Sequence, residues 1–145
     1  MKNTLLIIRL LLPFLVVLSL STALMAQPSR DRVLGDLSFN ELEGQTEVRI
    51  EFNFPVRYIR HFPVTSGQDL RIQLVPMAIG NTERDALFKR EAVTAERHNT
   101  ADISEVVYEG DSANGLQLTV YFAKERTFSV EQGNDYRSIL LVVKK

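Results

Sequence analysis

The sequence predicts a mainly β protein. It would be a β-sandwich of two pseudo-symmetric small antiparallel sheets with one short connecting helix, preceded by a signal-peptide helix. Three observations predict this. Apolar and polar residues alternate through several stretches, turn-forming residues separate those stretches, and two β-rich regions resemble each other.

The leader comes first. Lys2 gives a positive start, and an apolar run extends from Leu5 to Ala26 with only Arg9 charged and Pro13 near its middle. Small residues close it at Ser21, Thr22, Ala23 and Ala26. A positive start, an apolar stretch and a small-residue end are the parts of a secretory signal peptide. Cleavage after Ala26 would leave an exposed start at Gln27, Pro28 and Ser29; cleavage after Ala23 also satisfies the small-residue rule through Ser21. The alternative is an uncleaved inner-membrane anchor, but residues 10–26 are shorter than the roughly 20 residues a spanning helix needs. Export implies a periplasmic or otherwise extracytoplasmic protein, touching the membrane only through the leader if that is uncleaved. There is no Cys, so a lipid-modified N-terminal cysteine and a disulfide framework are both excluded.

With the leader assigned to residues 1–26 and a flexible mature start to 27–36, residues 37–145 form one domain, large enough for a single core. Setting aside Lys2 and Arg9 leaves 15 basic residues against 18 acidic, a net of −3. No basic field is available, which argues against a nucleic-acid partner.

Val48, Ile50, Phe52 and Phe54 alternate with Arg49, Glu51 and Asn53, as in a half-buried strand that Pro55 stops. Residues 56–59 resume as an edge strand. Ser66, Gly67, Gln68 and Asp69 form a turn, and Leu70, Ile72 and Leu74 alternate up to Pro76. Residues 82–91 read as a short helix, capped by Asn81 or Thr82, with acids in its first turn and bases in its last. Residues 92–101 read as a polar connection. A strand over 103–108 leads to a hairpin loop at Asn114 and Gly115. Leu116, Leu118, Val120 and Phe122 alternate, Gly133 and Asp135 mark a turn, and residues 139–143 are apolar on both faces, as in a central strand.

The repeat halves are 37–76 and 103–143. Residues 37–44 match 103–110, 48–54 match 116–122, and 67–75 match 133–141; eight of these 24 paired positions are identical. Roughly one or two identities are expected by chance. Each half would give one sheet, and the two sheets would pack face to face.

No catalytic or metal site stands out, and no cofactor is implied. No nucleophile-elbow glycines surround a serine, no phosphate loop is present, and His61 and His98 are far apart in the chain. Binding residues are better marked. Arg71 and Arg137 each follow an Asp by two residues at matched places in the repeat. Two readings stand: Asp69 with Arg71, or Asp135 with Arg137, pins a turn, or the arginines form an outward pair for a carboxylate- or sugar-bearing ligand. Arg57, Tyr58, Arg60 and His61, followed by Phe62, combine charge with stacking surface, which suits a polysaccharide or a protein partner. An amphipathic edge strand whose charges block aggregation would look the same.

Residues 48–56 and 67–76, together with the second half ending at 143, resemble the AMIN domain. AMIN domains are periplasmic targeting modules of cell-wall amidases and pilus secretins. The resemblance implies a sandwich of two similar sheets, envelope localisation and peptidoglycan association. The expected function is thus a non-enzymatic envelope-binding or targeting module whose partner is a cell-wall glycan or an envelope protein. The alternative is a protein–protein interaction subunit of a periplasmic secretion, pilus or division assembly, joined through a strand edge. A hydrolase built on His61 or His98 is a third reading.

Overall fold

The computed structural model describes residues 32–113 and 115–145. The expected signal peptide and the mature start through residue 31 lie outside the described residues. Among the described residues no helix is long and apolar enough to cross a membrane. Eight strands are described: β1 (Leu34–Leu42), β2 (Gln45–Phe52), β3 (Val56–Phe62), β4 (Ser66–Pro76), β5 (Arg90–Thr94), β6 (Ile103–Ser112), β7 (Gly115–Gln132) and β8 (Ser138–Lys144). Every pairing among them is antiparallel. The protein is mainly β, as the alternation predicts.

The long strand β7 organises the topology. Its first part pairs with β6 on one side and β4 on the other, while Phe128, Val130 and Gln132 pair with β8. One strand group therefore runs β1–β2–β8–β7 and the other β5–β6–β7–β4–β3. Where β7 passes between them, the rings of Phe122 and Phe128 stack with centroids 5.6 Å apart.

Each group draws on both halves of the sequence, which corrects the expectation of one sheet per half. The reason lies in β8. Its outward residues Leu140 and Val142 are apolar as well as its buried Ile139, Leu141 and Val143. Such a strand needs neighbours on both edges, and it finds them in β2 and β7.

The registers also correct the matching of the halves. Val48 lies opposite Leu141 and Ile50 opposite Ile139, while Leu116 lies opposite Leu74 and Leu118 opposite Ile72. Leu74 therefore corresponds to Leu141, not to Leu140. One residue of slip turns a side chain to the other face, so Arg71 and Arg137 do not occupy equivalent places.

Alternation builds one core. Val48, Ile50 and Phe52 of β2, Leu70, Ile72 and Leu74 of β4, Leu118 and Val120 of β7, and Ile139 and Leu141 of β8 belong to a single buried cluster. Each fully buried side chain of this kind contributes about 1.5–3 kcal/mol. The cluster runs from Val33 to Val143. Residues 27–145 thus hold every described strand pairing and the whole described core.

Three local expectations change. Residues Asn81–Phe88 form a 3-10 helix in place of the expected helix over 82–91. The stretch expected as a polar connection opens within β5, which pairs with β6 from Arg90 opposite Glu109 to Thr94 opposite Glu105. The start expected to be flexible already contains buried Val33 and Leu34, because Glu91 of β5 accepts both of their amides at 2.8 and 3.0 Å. Glycine serves two different needs here. Gly44 takes φ 73° in the β1–β2 turn, whereas a Cβ at Gly110 would lie 1.8 Å from the Leu87 carbonyl oxygen.

Candidate functional site

Among the described residues β3 pairs only with β4, at one margin of its group. The pairing slips between Tyr58, which faces Leu74, and Arg60, which faces Gln73, leaving Ile59 as an extra residue. This bulge reassigns the side chains beyond it. Tyr58 and His61 lie opposite buried Leu74 and Ile72, while Arg60 and Phe62 lie opposite Gln73 and Arg71. A stretch that reads as one mixed cluster in sequence is thereby sorted onto two sides.

The outward side is a polar face with one exposed ring. Arg60, His61, Phe62, Arg71, Gln73 and Gln117 line a shallow depression of about 340 Å³. Gln117 arrives from β7 because it pairs with Gln73. Arg57 lies on β3 opposite exposed Val75. The Nε of Arg60 donates to Oε1 of Gln73 at 2.8 Å. Among the described residues, Arg57, Arg60 and Arg71 have no carboxylate in ion-pair range, whereas Arg49, Arg90, Lys124, Arg126 and Lys145 each do. In a chain with more acids than bases, three guanidiniums without a counter-charge make a local positive field.

The inward side is a clasp. The Tyr58 hydroxyl lies 2.7 Å from Nδ1 of His61, and Nε2 of the same ring lies 2.9 Å from the Val64 carbonyl oxygen. A carbonyl can only accept, so Nε2 carries the proton and Nδ1 accepts from the phenol. Burial pushes the Tyr58 phenol above its ordinary range. The Tyr58 amide donates to Oε1 of Gln132 at 2.7 Å, tying β3 to the end of β7. The His61 ring also meets Phe128 edge-on at 6.3 Å. Tyr58 and His61 are occupied with holding β3 and the β3–β4 turn in place.

Arg137 is engaged elsewhere. Its Nη1 donates to the Asn53 carbonyl at 2.8 Å and its amide to Oδ1 of Asp135 at 2.9 Å. Asp135 also accepts from the Ser138 hydroxyl at 2.9 Å and pairs with Arg49. Asp135 does pin its turn, but through the backbone of Arg137 and not its guanidinium. The Arg137 amide does most to hold the Asp135 carboxyl below its ordinary range; burial opposes it as the next largest effect, and Ser138 and then Arg49 add smaller lowering effects. The first half has no counterpart: neither Asp69 nor Arg71 takes part in an ion pair among the described residues.

His98 is exposed at φ 65° in another loop, where it lines a second depression with Glu96, Asn99 and Asp102. That loop is held by Asn99, whose side chain bonds both the amide and the carbonyl of Ile103. Among the described residues no group of three His, Asp or Glu side chains is placed to hold a metal ion.

The structure thus brings Arg57, Arg60 and Arg71 to one face and leaves Tyr58, His61 and Arg137 in structural roles. Sequence reasoning missed Gln73 and Gln117. Alternation places Gln73 beside Arg71, but Gln117 needs the β4–β7 register. No family model, no curated protein and no solved structure matches the chain.

Proposed function

We propose that the protein is an exported, non-enzymatic envelope-binding module that holds a carboxylate-bearing cell-wall glycan on the outer face of β3, β4 and β7. The observation that carries this reading is Arg60 and Arg71 beside exposed Phe62, with Arg57 on the same outward face, none of the three having a carboxylate partner among the described residues. A guanidinium matches a carboxylate with two parallel hydrogen bonds. The amide of Gln117, whose Nε2 donates to Thr119, keeps its carbonyl oxygen and a second N–H for sugar hydroxyls. An aromatic ring offers a flat apolar surface to the C–H face of a sugar. The depression is shallow and open, which suits a polymer lying across strands better than a small molecule enclosed in a cavity.

The leader pattern supports a periplasmic place, and the resemblance to AMIN domains supports the envelope. In this reading the two strand groups are the layers of a sandwich with a pseudo-two-fold axis. Their pairing orders match, β1–β2–β8–β7 against β6–β7–β4–β3, and one core cluster takes residues from both. Co-sedimentation with isolated sacculi tests the function. Arginine-dependent binding weakens as salt rises.

A second reading rests on β1. It is nine residues long and, among the described residues, pairs only with β2, which leaves its other edge for strand addition by an envelope protein. Binding of that kind depends on backbone pairing and is insensitive to salt. Crosslinking in the envelope would identify such a partner.

A further inference from the structure

We infer that the β3–β4 hairpin tip is a membrane-docking wedge. Phe62 and Val64 would enter the acyl boundary of an anionic lipid surface while Arg60 and Arg71 meet its phosphates. Phe62 is 72% exposed and Val64 68%. Single exposed apolar residues are ordinary, so exposure alone decides nothing.

Three further features decide it. The two side chains stand two residues apart at one tip, next to Pro63. The tip is also clamped: the Val64 carbonyl accepts from His61 at 2.9 Å and the Thr65 carbonyl from the Phe128 amide at 2.8 Å. Pro63 packs so closely that a Cβ at Gly67 would lie 2.7 Å from its Cγ. A turn already held in shape loses little entropy on docking. Finally, Phe62 pairs across the hairpin with Arg71, and Arg60 precedes it on β3; neither arginine has a carboxylate partner among the described residues.

Two apolar side chains are too little surface for a stable protein interface. A lipid surface needs no shape complementarity, only apolar groups that insert and cations beside anionic headgroups. The wedge goes beyond the glycan reading but shares Arg60 and Arg71 with it. Glycan and lipid should therefore compete.

The chain has no Trp, so Phe62→Trp in the 27–145 form supplies a single reporter at the tip. Vesicles of phosphatidylglycerol with phosphatidylethanolamine should shift its emission to the blue and shield it from iodide; phosphatidylcholine vesicles should do neither. Adding Val64→Ser should weaken vesicle binding roughly tenfold, as expected for one buried valine. Adding Arg60→Ala and Arg71→Ala should weaken it roughly twentyfold or more, at about fivefold per cation. All variants should unfold at nearly the wild-type temperature. An unshifted spectrum with anionic vesicles would overturn the wedge, as would binding indifferent to Val64→Ser. Val64→Ser alone should leave sacculus binding intact, so the wedge and the glycan face can fail separately.

Discussion

The phenol of Tyr58 donates to Nδ1 of His61, and the opposite nitrogen of that ring reaches the Val64 carbonyl, so one imidazole joins the body of β3 to its turn. Tyr58→Phe removes the donor and leaves Nδ1 unpaired in a half-buried place. Stability to urea should fall by about 1 kcal/mol. Nitrogen chemical shifts should show the Nε2–H tautomer in the wild type.

Glu91, on β5 at the other margin of the β3 strand group, accepts the amides of Val33 and Leu34, which are 0% and 2% exposed. Glu91→Ala leaves two buried donors without partners, and each costs about 1–3 kcal/mol. The variant should lose about 2 kcal/mol or more in urea unfolding, and hydrogen exchange should speed up first at these two amides. Tyr108 lies across the β5–β6 pair from Glu91, and burial, aided by the Glu91 charge, pushes its phenol upward. Its absorbance should therefore not change until well above the ordinary tyrosine range.

Asp135 gives the acid response a sign. Its folded carboxyl is held below its unfolded value near 3.9. Its contribution to stability is therefore fully present above pH 4 and lost as pH falls through the lower, folded value. Asp135→Asn should be less stable than wild type at neutral pH, with the difference shrinking toward pH 2. Thermal melts across that range provide the measurement. The exposed pairing with Arg49 should matter less than the bonds to the Arg137 amide and to Ser138, because exposed ion pairs contribute little.

Gly110→Ala should destabilise strongly, since the new methyl would meet the Leu87 backbone and force the 3-10 helix off β6. Gly44→Ala should cost less, because its Cβ meets nothing within 4 Å and only the positive φ is strained. Paired melting curves of the two variants test the contrast.

These glycines also show what was legible in the sequence. Gly44 and Gly110 match as identical residues in the two halves, yet one answers a backbone angle and the other a close approach that only the tertiary structure creates. Alternation identified the inward residues of β2, β4 and the first part of β7 because each strand keeps period two along one buried face. It missed β5, whose outward Arg90, Ala92 and Thr94 leave only a weak apolar signal. It also missed the second part of β7, where charged residues 124–126 interrupt the pattern between its pairings with β6 and with β8. The Ile59 bulge hid how the candidate site is sorted, since one extra residue between Tyr58 and Arg60 puts Arg60 on the side of Arg57 and His61 on the side of Tyr58, and no periodicity announces it. Arg71 and Arg137 looked equivalent because an alignment offset differs from the strand register by one residue.

The most direct test is co-sedimentation of the 27–145 form with isolated sacculi at low and raised salt, comparing wild type with Arg60→Ala/Arg71→Ala and with Arg137→Ala. The glycan face predicts salt-sensitive wild-type binding. The Arg60/Arg71 variant should lose that binding while melting at nearly the wild-type temperature, and Arg137→Ala should keep it. No wild-type binding at either salt, or equal binding by the Arg60/Arg71 variant, would contradict it.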